Sequence, residues 1–388
     1  GKWHLGMTWT DLAGQPVPYR GASGFRAGAD IDYTRDTIGG PRDLGFDDFF
    51  GISASLDMSP YAFINGRRVT EPLTVAAPDD RTLFMNQVAG VQPEGFTLES
   101  VLPALNLRAT EFIRSRGGKR DPFFLYMPLS SPHLPIVPNR AWIGKSGAGL
   151  YGDFVAETDG VVGDVLAALE AAGLRENTLI VFTSDNGGLW HGWDAVEADD
   201  VAEYKPTARA NYTGERGHRS NATLRGTKAD IYEGGHRVPF LVRWPARVRG
   251  GSVSEALVEL NDLFATIAEI TGQPLSAGNA EDSFSFLATL TGRTPTGAWP
   301  ARPFAVHHSL AGVFALREGD WKFVPSRGSG GFSTPKKVEP KDDEPTGQLY
   351  HLGRDPQETR NVWSDEPERV ARMGARLEEI RRGTRTRP

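Results

Sequence analysis

The sequence contains no cysteine in 388 residues. Disulfide frameworks, thiolate zinc sites, cysteine nucleophiles and iron–sulfur clusters are therefore excluded, and any bound metal must use oxygen or imidazole ligands. No apolar run approaches the roughly 18 residues of a membrane span, and no basic stripe interleaved with aromatics suggests a nucleic-acid surface. No internal repeat or signal peptide is visible. The chain opens on Gly1-Lys2-Trp3-His4-Leu5-Gly6 without an initiator Met, which reads as a truncated start. What is abundant is glycine (45) and proline (27), marking many shaped loops, with 9 Trp and 20 Phe to fill a core. The net charge of −6 is uneven, because residues 301–388 carry 16 Lys and Arg against 13 Asp and Glu. The tail from Arg369 to Arg387 interleaves Arg with Glu378 and Glu379 like a solvated helix face.

Strand-length apolar runs alternate with helical patterns, the rhythm of an α/β sheet. Phe123–Met127 reads as a strand. Before it, Leu98, Leu102, Leu105, Ala109, Phe112 and Ile113 are spaced as one face of a helix. A second helix runs through Phe154, Val161, Val165 and Leu169, stops at Gly173, and is followed by a strand over Leu179–Thr183. Phe240–Arg243 is a third strand, and a helix begins near Asn261 or Asp262. Near residue 300 the pattern changes to short segments at Phe304–His308, Val313–Leu316, Trp321–Val324 and Gln348–Leu352. A helix over about 366–382 completes a small antiparallel sheet with one helix. Residues 326–345, rich in Gly, Lys and Pro, read as a loose loop. The expected domains are thus an α/β body over 1–300 and a small α+β part over 301–388.

Ligands in open α/β sheets sit outside the carboxyl ends of strands, where the sequence places Ser131-Pro132-His133 and Ser184-Asp185-Asn186-Gly187-Gly188. If Gly1–Leu5 is extended, Lys2 and His4 share one face opposite Trp3, an arrangement suited to an anion. An exposed terminal Lys beside a partly buried His would read the same. Asp185 and Asn186 offer two oxygens of the kind Ca²⁺ or Mg²⁺ prefers, although Asp-Asn-Gly-Gly also makes an ordinary turn. Lys228, in Leu224-Arg225-Gly226-Thr227-Lys228, could supply a point charge to an oxyanion. In the segment that follows, Glu233 and Arg237 are four apart and could pair. Trp190, His191, Trp193, His218 and Arg219 lie in a long segment whose aromatic and polar side chains suit a sugar, or an irregular lid. His307, His308 and His351 read as structural, with His307 a candidate to reach the cleft.

Together the opening hexapeptide, Gly40-Pro41 with Gly45-Phe46-Asp47, Ser131-Pro132-His133, Ser184–Gly188, and Lys228 with Glu233-Gly234-Gly235 and Arg237-Val238-Pro239 resemble the formylglycine-dependent type I sulfatases of the alkaline phosphatase superfamily. The likeness follows their order and spacing across nearly the whole chain, and Asp355-Pro356, Glu358 and Asn361 resemble that family's C-terminal part. Ser55-Leu56-Asp57-Met58-Ser59-Pro60-Tyr61 resembles a segment of bacterial carbohydrate sulfatases, which makes Asp57 a candidate for a sugar hydroxyl.

The resemblance implies an alkaline-phosphatase-like, mostly parallel sheet flanked by helices, and a sulfuric ester hydrolase acting on a sulfated sugar or aryl sulfate. It implies that Lys2 and Lys228 hold sulfate oxygens and that His133 serves the leaving group. It also implies that His4 assists the nucleophile and that Asp185 and Asn186 ligate calcium, or Mg²⁺. A periplasmic or extracellular location goes with the family. The family's Cys/Ser-x-Pro-x-Arg nucleophile, which carries the formylglycine, lies upstream of the Lys-Trp-His segment and is not in this chain. Pro325-Ser326-Arg327, preceded by Phe323 where the nucleophile would stand, is a chance match. The chain alone is therefore expected to be inactive and unstable, lacking an N-terminal segment. Two other readings remain at this point: a phosphate or phosphonate ester hydrolase of the same superfamily, and a non-catalytic sulfated-glycan binder.

Overall fold

The computed structural model describes residues 1–19, 30–80, 85–189 and 218–387, which fall into two compact units divided near residue 175. In the first, β1 (Thr8–Thr10) pairs antiparallel with β2 (Pro16–Pro18). Strands β3 (Phe50–Gly51), β4 (Ile64–Asn65) and β5 (Arg68–Val69) form a small meander, and β6 (Val75–Ala77) pairs with β7 (Gly90–Gln92). Helices α1 (Val101–Ser115) and α2 (Gly149–Ala171) pack on each other. The α1 face that is buried consists of Val101, Leu102, Leu105, Ala109 and Ile113, the stripe its spacing dictates. A second core gathers Trp3, Met7, Trp9, Ile31, Ala54 and Ile64.

In the second unit β8 (Ile180–Thr183) pairs antiparallel with β9 (Phe240–Arg243), separated in sequence by the short helix α3 (Glu233–His236). Then come α4 (Asp262–Thr271), α5 (Leu287–Thr291) and the sheet β10 (Ala305–His308), β11 (Phe314–Glu318), β12 (Trp321–Val324) and β13 (Gln348–His351), before α6 (Pro367–Arg382). All pairings in this four-stranded sheet are antiparallel, as the short segments predict. Successive residues in a strand face opposite sides, and both sides of this sheet are covered. Leu316, Phe323 and Leu349 pack on Met373 and Leu377 of α6. Ala315, Val324 and Tyr350 pack on Ile231 and Tyr232, just before α3.

Lys322, in β12, belongs to this second face and is fully buried. Its Nζ lies 3.1 Å from Glu233 Oε1 and 2.9 Å from Glu358 Oε1. Glu358 Oε2 in turn accepts the Glu233 backbone N–H at 2.7 Å. Burial works against ionisation of both carboxyls. At Glu233 the Lys322 and Arg317 charges overcome it and hold the group below the usual carboxylate range, whereas Glu358 is pushed above it. The Glu233–Arg237 pair that the sequence allows does not form the anchor; Lys322 and Arg317 are the ion-pair partners of Glu233.

Two further expectations need correction. Phe123–Met127 is assigned to no strand, although its residues alternate between half-buried and exposed, with Phe124 and Tyr126 outward. Gly1–Leu5 makes one parallel bridge, Lys2 to Ile52, rather than a full strand. The strands seen in ladders are otherwise antiparallel among the described residues. The 326–345 connection is a loop as expected, but its start is tied down: buried Asp230 accepts from Phe332 N at 2.8 Å and Ser333 N at 3.0 Å.

Lys322→Met leaves two carboxyls buried without their cation and should cost about 3–5 kcal/mol of unfolding free energy. Adding Glu233→Gln should restore part of that loss, as read by denaturant titration. Beside this cluster the His236 and His307 rings lie tilted by 44° with centroids 4.2 Å apart, and each keeps a buried Nε2 that makes no hydrogen bond. Burial, reinforced by Lys322, lowers His236 from 6.5 to about 4 and holds His307 well below 6.5, opposed at His236 by Glu233. The unfolded chain thus binds more protons between about pH 6.5 and 4, and stability falls as pH falls through that window. A His236→Gln, His307→Gln variant should show a shallower loss between pH 7 and 5 than the parent; parallel profiles would place both imidazoles elsewhere on the pH scale.

Candidate active site

Lys2, His4, Asp57 and His133 belong to the first unit; Asp185, Asn186, His218, Arg219 and Lys228 belong to the second. Trp190, His191 and Trp193 lie outside the described residues.

In the first unit the opening residues run extended between two segments. Lys2 N–H donates to Pro128 O at 2.6 Å, Trp3 N–H to Ile52 O at 3.0 Å and His4 N–H to Ser53 O at 2.9 Å. Trp3 is buried while His4 is exposed and Lys2 half-buried, so the expected alternation holds. His4 then adopts φ 55, a left-handed conformation that a non-glycine residue keeps only when its surroundings impose it. Its Nδ1 accepts the Ser55 backbone N–H at 3.2 Å. A neutral His4 ring must therefore carry its proton on Nε2. Asp57, two residues beyond Ser55, is almost wholly buried, and its charge raises Tyr19 in addition to the effect of burial.

His133 has the opposite polarity. Its Nδ1 lies 2.8 Å from Leu134 O, an acceptor, so the proton sits on Nδ1 and Nε2 is where a second proton would go. The loop around it is held by polar side chains of α2. Thr158 donates to Ser131 Oγ at 2.7 Å, Glu157 Oε2 accepts from Asn139 N at 2.7 Å, and Asp153 accepts from Gly144 N and Ser146 N. Burial raises Glu157 against the lowering effect of that Asn139 bond.

In the second unit the loop leaving β8 packs backbone to backbone on α3. Gly187 N–H donates to Gly235 O at 3.0 Å, and a Cβ on Gly187 would stand 1.7 Å from Gly234 O. The double glycine is thus required by close approach. Ser184 Oγ donates to Asn186 O, and Asn186 Nδ2 donates to Gly187 O at 2.9 Å, which leaves Oδ1 as the ligand-type atom of that amide. Asp185 is exposed. These are hard oxygen donors of the type Ca²⁺ or Mg²⁺ takes, and they fit such an ion as two of its six to eight ligands. Among the described residues no three His, Asp or Glu side chains group as a metal site.

Lys228 is half-buried, and its backbone N–H donates to Gly188 O at 3.3 Å, which brings the lysine loop beside the Asp185–Asn186 loop. Ala229 takes φ 78, and Asp230 fixes the turn by accepting Thr227 N–H at 2.9 Å. Asp230 was passed over in the sequence, yet its place two residues after Lys228 was the available signal. His218 and Arg219 are exposed in the turn leading to this loop. Of the C-terminal motif, Glu358 serves Lys322. Asp355 accepts from Thr359 N and Arg360 N at 3.0 and 2.8 Å, and Asn361 ties β13 to the segment after it. Arg327 of the chance Pro-Ser-Arg match pairs with Glu344.

Taken together, these are the features of an α/β protein in which the loop bearing Asp185 and Asn186 lies against the loop bearing Lys228. The chain belongs to the sulfatase family, whose model matches residues 1–273. An N-acetylgalactosamine-6-O-sulfatase of Bacteroides thetaiotaomicron is 30% identical over 98% of this chain and 73% of its own length. The N-acetylgalactosamine-6-sulfatase of Mus musculus is 27% identical over 82% of this chain, which spans 58% of that relative. Among solved structures, a Bacteroides thetaiotaomicron protein described with the metabolism of multiple glycosaminoglycans matches at TM-score 0.75 and 27% identity, over 92% of this chain and 76% of that one. The fold is accordingly alkaline-phosphatase-like α/β with a small C-terminal antiparallel sheet and helix. No helix among the described residues is long and apolar enough to cross a membrane.

Gly187→Ala should clash with the Gly234 carbonyl and displace the Asp185–Asn186 loop. In the intact protein Asp185→Ala should abolish calcium binding measured by calorimetry. Unchanged affinity would remove Asp185 from the ligand set.

Proposed function

We propose that the chain is the body of a calcium-dependent carbohydrate sulfatase, with 6-O-sulfated N-acetylgalactosamine as the favoured substrate class. The names of the relatives support the sugar, and the division into a body over 1–300 and a small part over 301–388 goes with the reading. The observation that supports it is the hydrogen bond from Lys228 N–H to Gly188 O, which brings the loop bearing Lys228 beside the loop bearing Asp185 and Asn186.

In this reading Lys2 and Lys228 each hold sulfate oxygens, His133 serves the leaving group, and Asp185 and Asn186 ligate the cation. Fixed cations there act on charge that grows in the transition state and contribute several kcal/mol. When bound, a hydrated formylglycine supplies the attacking oxygen and a calcium ion held by Asp185 and Asn186 supplies further positive charge. His4, with Nδ1 committed to Ser55 N–H, would assist the nucleophile's hydroxyl through Nε2. His133, held at Nδ1 by Leu134 O, would in its doubly protonated form pass the Nε2 proton to the leaving alcohol and return to the neutral ring. Asp57, His218 and Arg219, with Trp190, His191 and Trp193, are the candidates for sugar hydroxyls and ring faces. A secreted or periplasmic location accompanies the reading.

Reading the gene upstream of Gly1 should reveal Cys or Ser followed by x-Pro-x-Arg, and mass spectrometry of that peptide should show an aldehyde. A gene without that motif would point to a sulfated-glycan binder or to a different nucleophile. In the intact protein Lys228→Ala should lower turnover of a 6-sulfated N-acetylgalactosamine at least a hundredfold with an unchanged melting temperature; a parental rate would remove it from the site.

A further inference from the structure

The loop carrying Asp185 and Asn186 and the loop carrying Lys228 are joined by a side chain outside both motifs. Asn221 Oδ1 accepts from Gly188 N at 2.8 Å, while its Nδ2 donates to Gly188 O at 2.9 Å and to Gly226 O at 3.1 Å. The junction is narrow: a Cβ on Gly188 would meet Ser220 Cβ at 2.9 Å and Asn221 Oδ1 at 3.1 Å. Thr227 Oγ1 adds a bond to Leu189 O at 3.1 Å. The backbone takes positive φ at Ala222 (52) and again at Ala229 (78), on either side of Gly226 and Lys228. Alanine leaves such a conformation readily unless its neighbours are tethered. A carboxamide both accepts and donates twice without bringing a charge. A carboxylate could only accept, and a hydroxyl has one donor.

We infer that Asn221 is a positioning residue that sets the spacing between the cation ligands Asp185 and Asn186 and the anion-binding Lys228, so that calcium affinity and sulfate affinity depend on one amide. The inference rests on the reading of Asp185 and Asn186 as cation ligands. It also assigns the Asn221-Ala222-Thr223 sequon a different use: its amide is committed to internal bonds, and attaching a glycan there would break them.

The intact protein, with its N-terminal segment, provides its own control. Asn361 makes a clamp of the same chemistry in the C-terminal sheet, accepting from Leu349 N at 2.9 Å and Trp363 N at 3.1 Å and donating to Gly347 O at 2.9 Å. Calcium alone, then inorganic sulfate in saturating calcium, are titrated by calorimetry into the parent, Asn221→Ala, Asn221→Ser and Asn361→Ala, each with its denaturation midpoint. Both Asn221 variants should bind calcium 10–100-fold more weakly, the usual penalty for losing a group that orients a ligand, and sulfate more weakly too. Asn361→Ala should lose a similar amount of stability and keep the parental affinities. Asn221→Ser retains one donor and a small volume, which keeps the comparison open if the alanine variant does not fold. A parent that binds no calcium overturns the cation reading, and the inference with it. A parent that binds calcium while both Asn221 variants match it overturns the inference alone, as does an equal loss of affinity in Asn361→Ala.

Discussion

One buried ammonium determines where much of the second unit lies. Lys322 has no access to water and is flanked by Glu233 and Glu358. A buried charge without partners is prohibitively costly, so β12, α3 and the turn at Glu358 must come together for any of them to be stable. Glu233 opens α3, and the next two residues are Gly234 and Gly235. These glycines receive Gly187 at a distance no side chain would allow. The placement of Asp185 and Asn186 therefore follows, through backbone contacts, from an ion pair in the C-terminal sheet. The buried pair contributes little net stability of its own; its effect is to select one arrangement.

Regular elements were legible because burial follows period. The strands 180–183 and 240–243, the helices through 101–115 and 262–271, and the four short strands after residue 300 appear within a residue or two of where apolar spacing places them. Phe123–Met127 failed for a reason that spacing cannot show. Its alternation is present, but a strand exists only when a neighbour completes its ladder, and the bond from Lys2 N–H to Pro128 O is the contact it makes at its end. The site was half legible. Residue types that do chemistry announce themselves, and Lys228, Asp185 and Asn186 fall on adjacent loops. Asp230 and Asn221, which only make hydrogen bonds to backbone, look in sequence like any turn residue.

The two units solve the same problem in different ways. In the second, glycines let backbones meet, and one amide and one carboxylate fasten the loops. In the first, the loop bearing His133 hangs from Asp153, Glu157 and Thr158, three buried polar groups on the inner face of α2. That explains a helix whose pattern is less cleanly amphipathic than its length suggests. Its polar positions are buried because each satisfies a loop donor or acceptor that would otherwise be left in a dry environment.

Such obligatory bonds are what make loops precise. A loop held by apolar contact can slide by an ångström at small cost, since dispersion has no direction. One held by buried hydrogen bonds cannot, because each bond broken without water to replace it costs about 1–3 kcal/mol. His4 and His133 show the outcome at the level of single protons. The Ser55 N–H against one Nδ1 and the Leu134 carbonyl against the other impose opposite tautomers on two otherwise identical rings. The two proton positions are thereby set by backbone groups whose places the fold has already fixed.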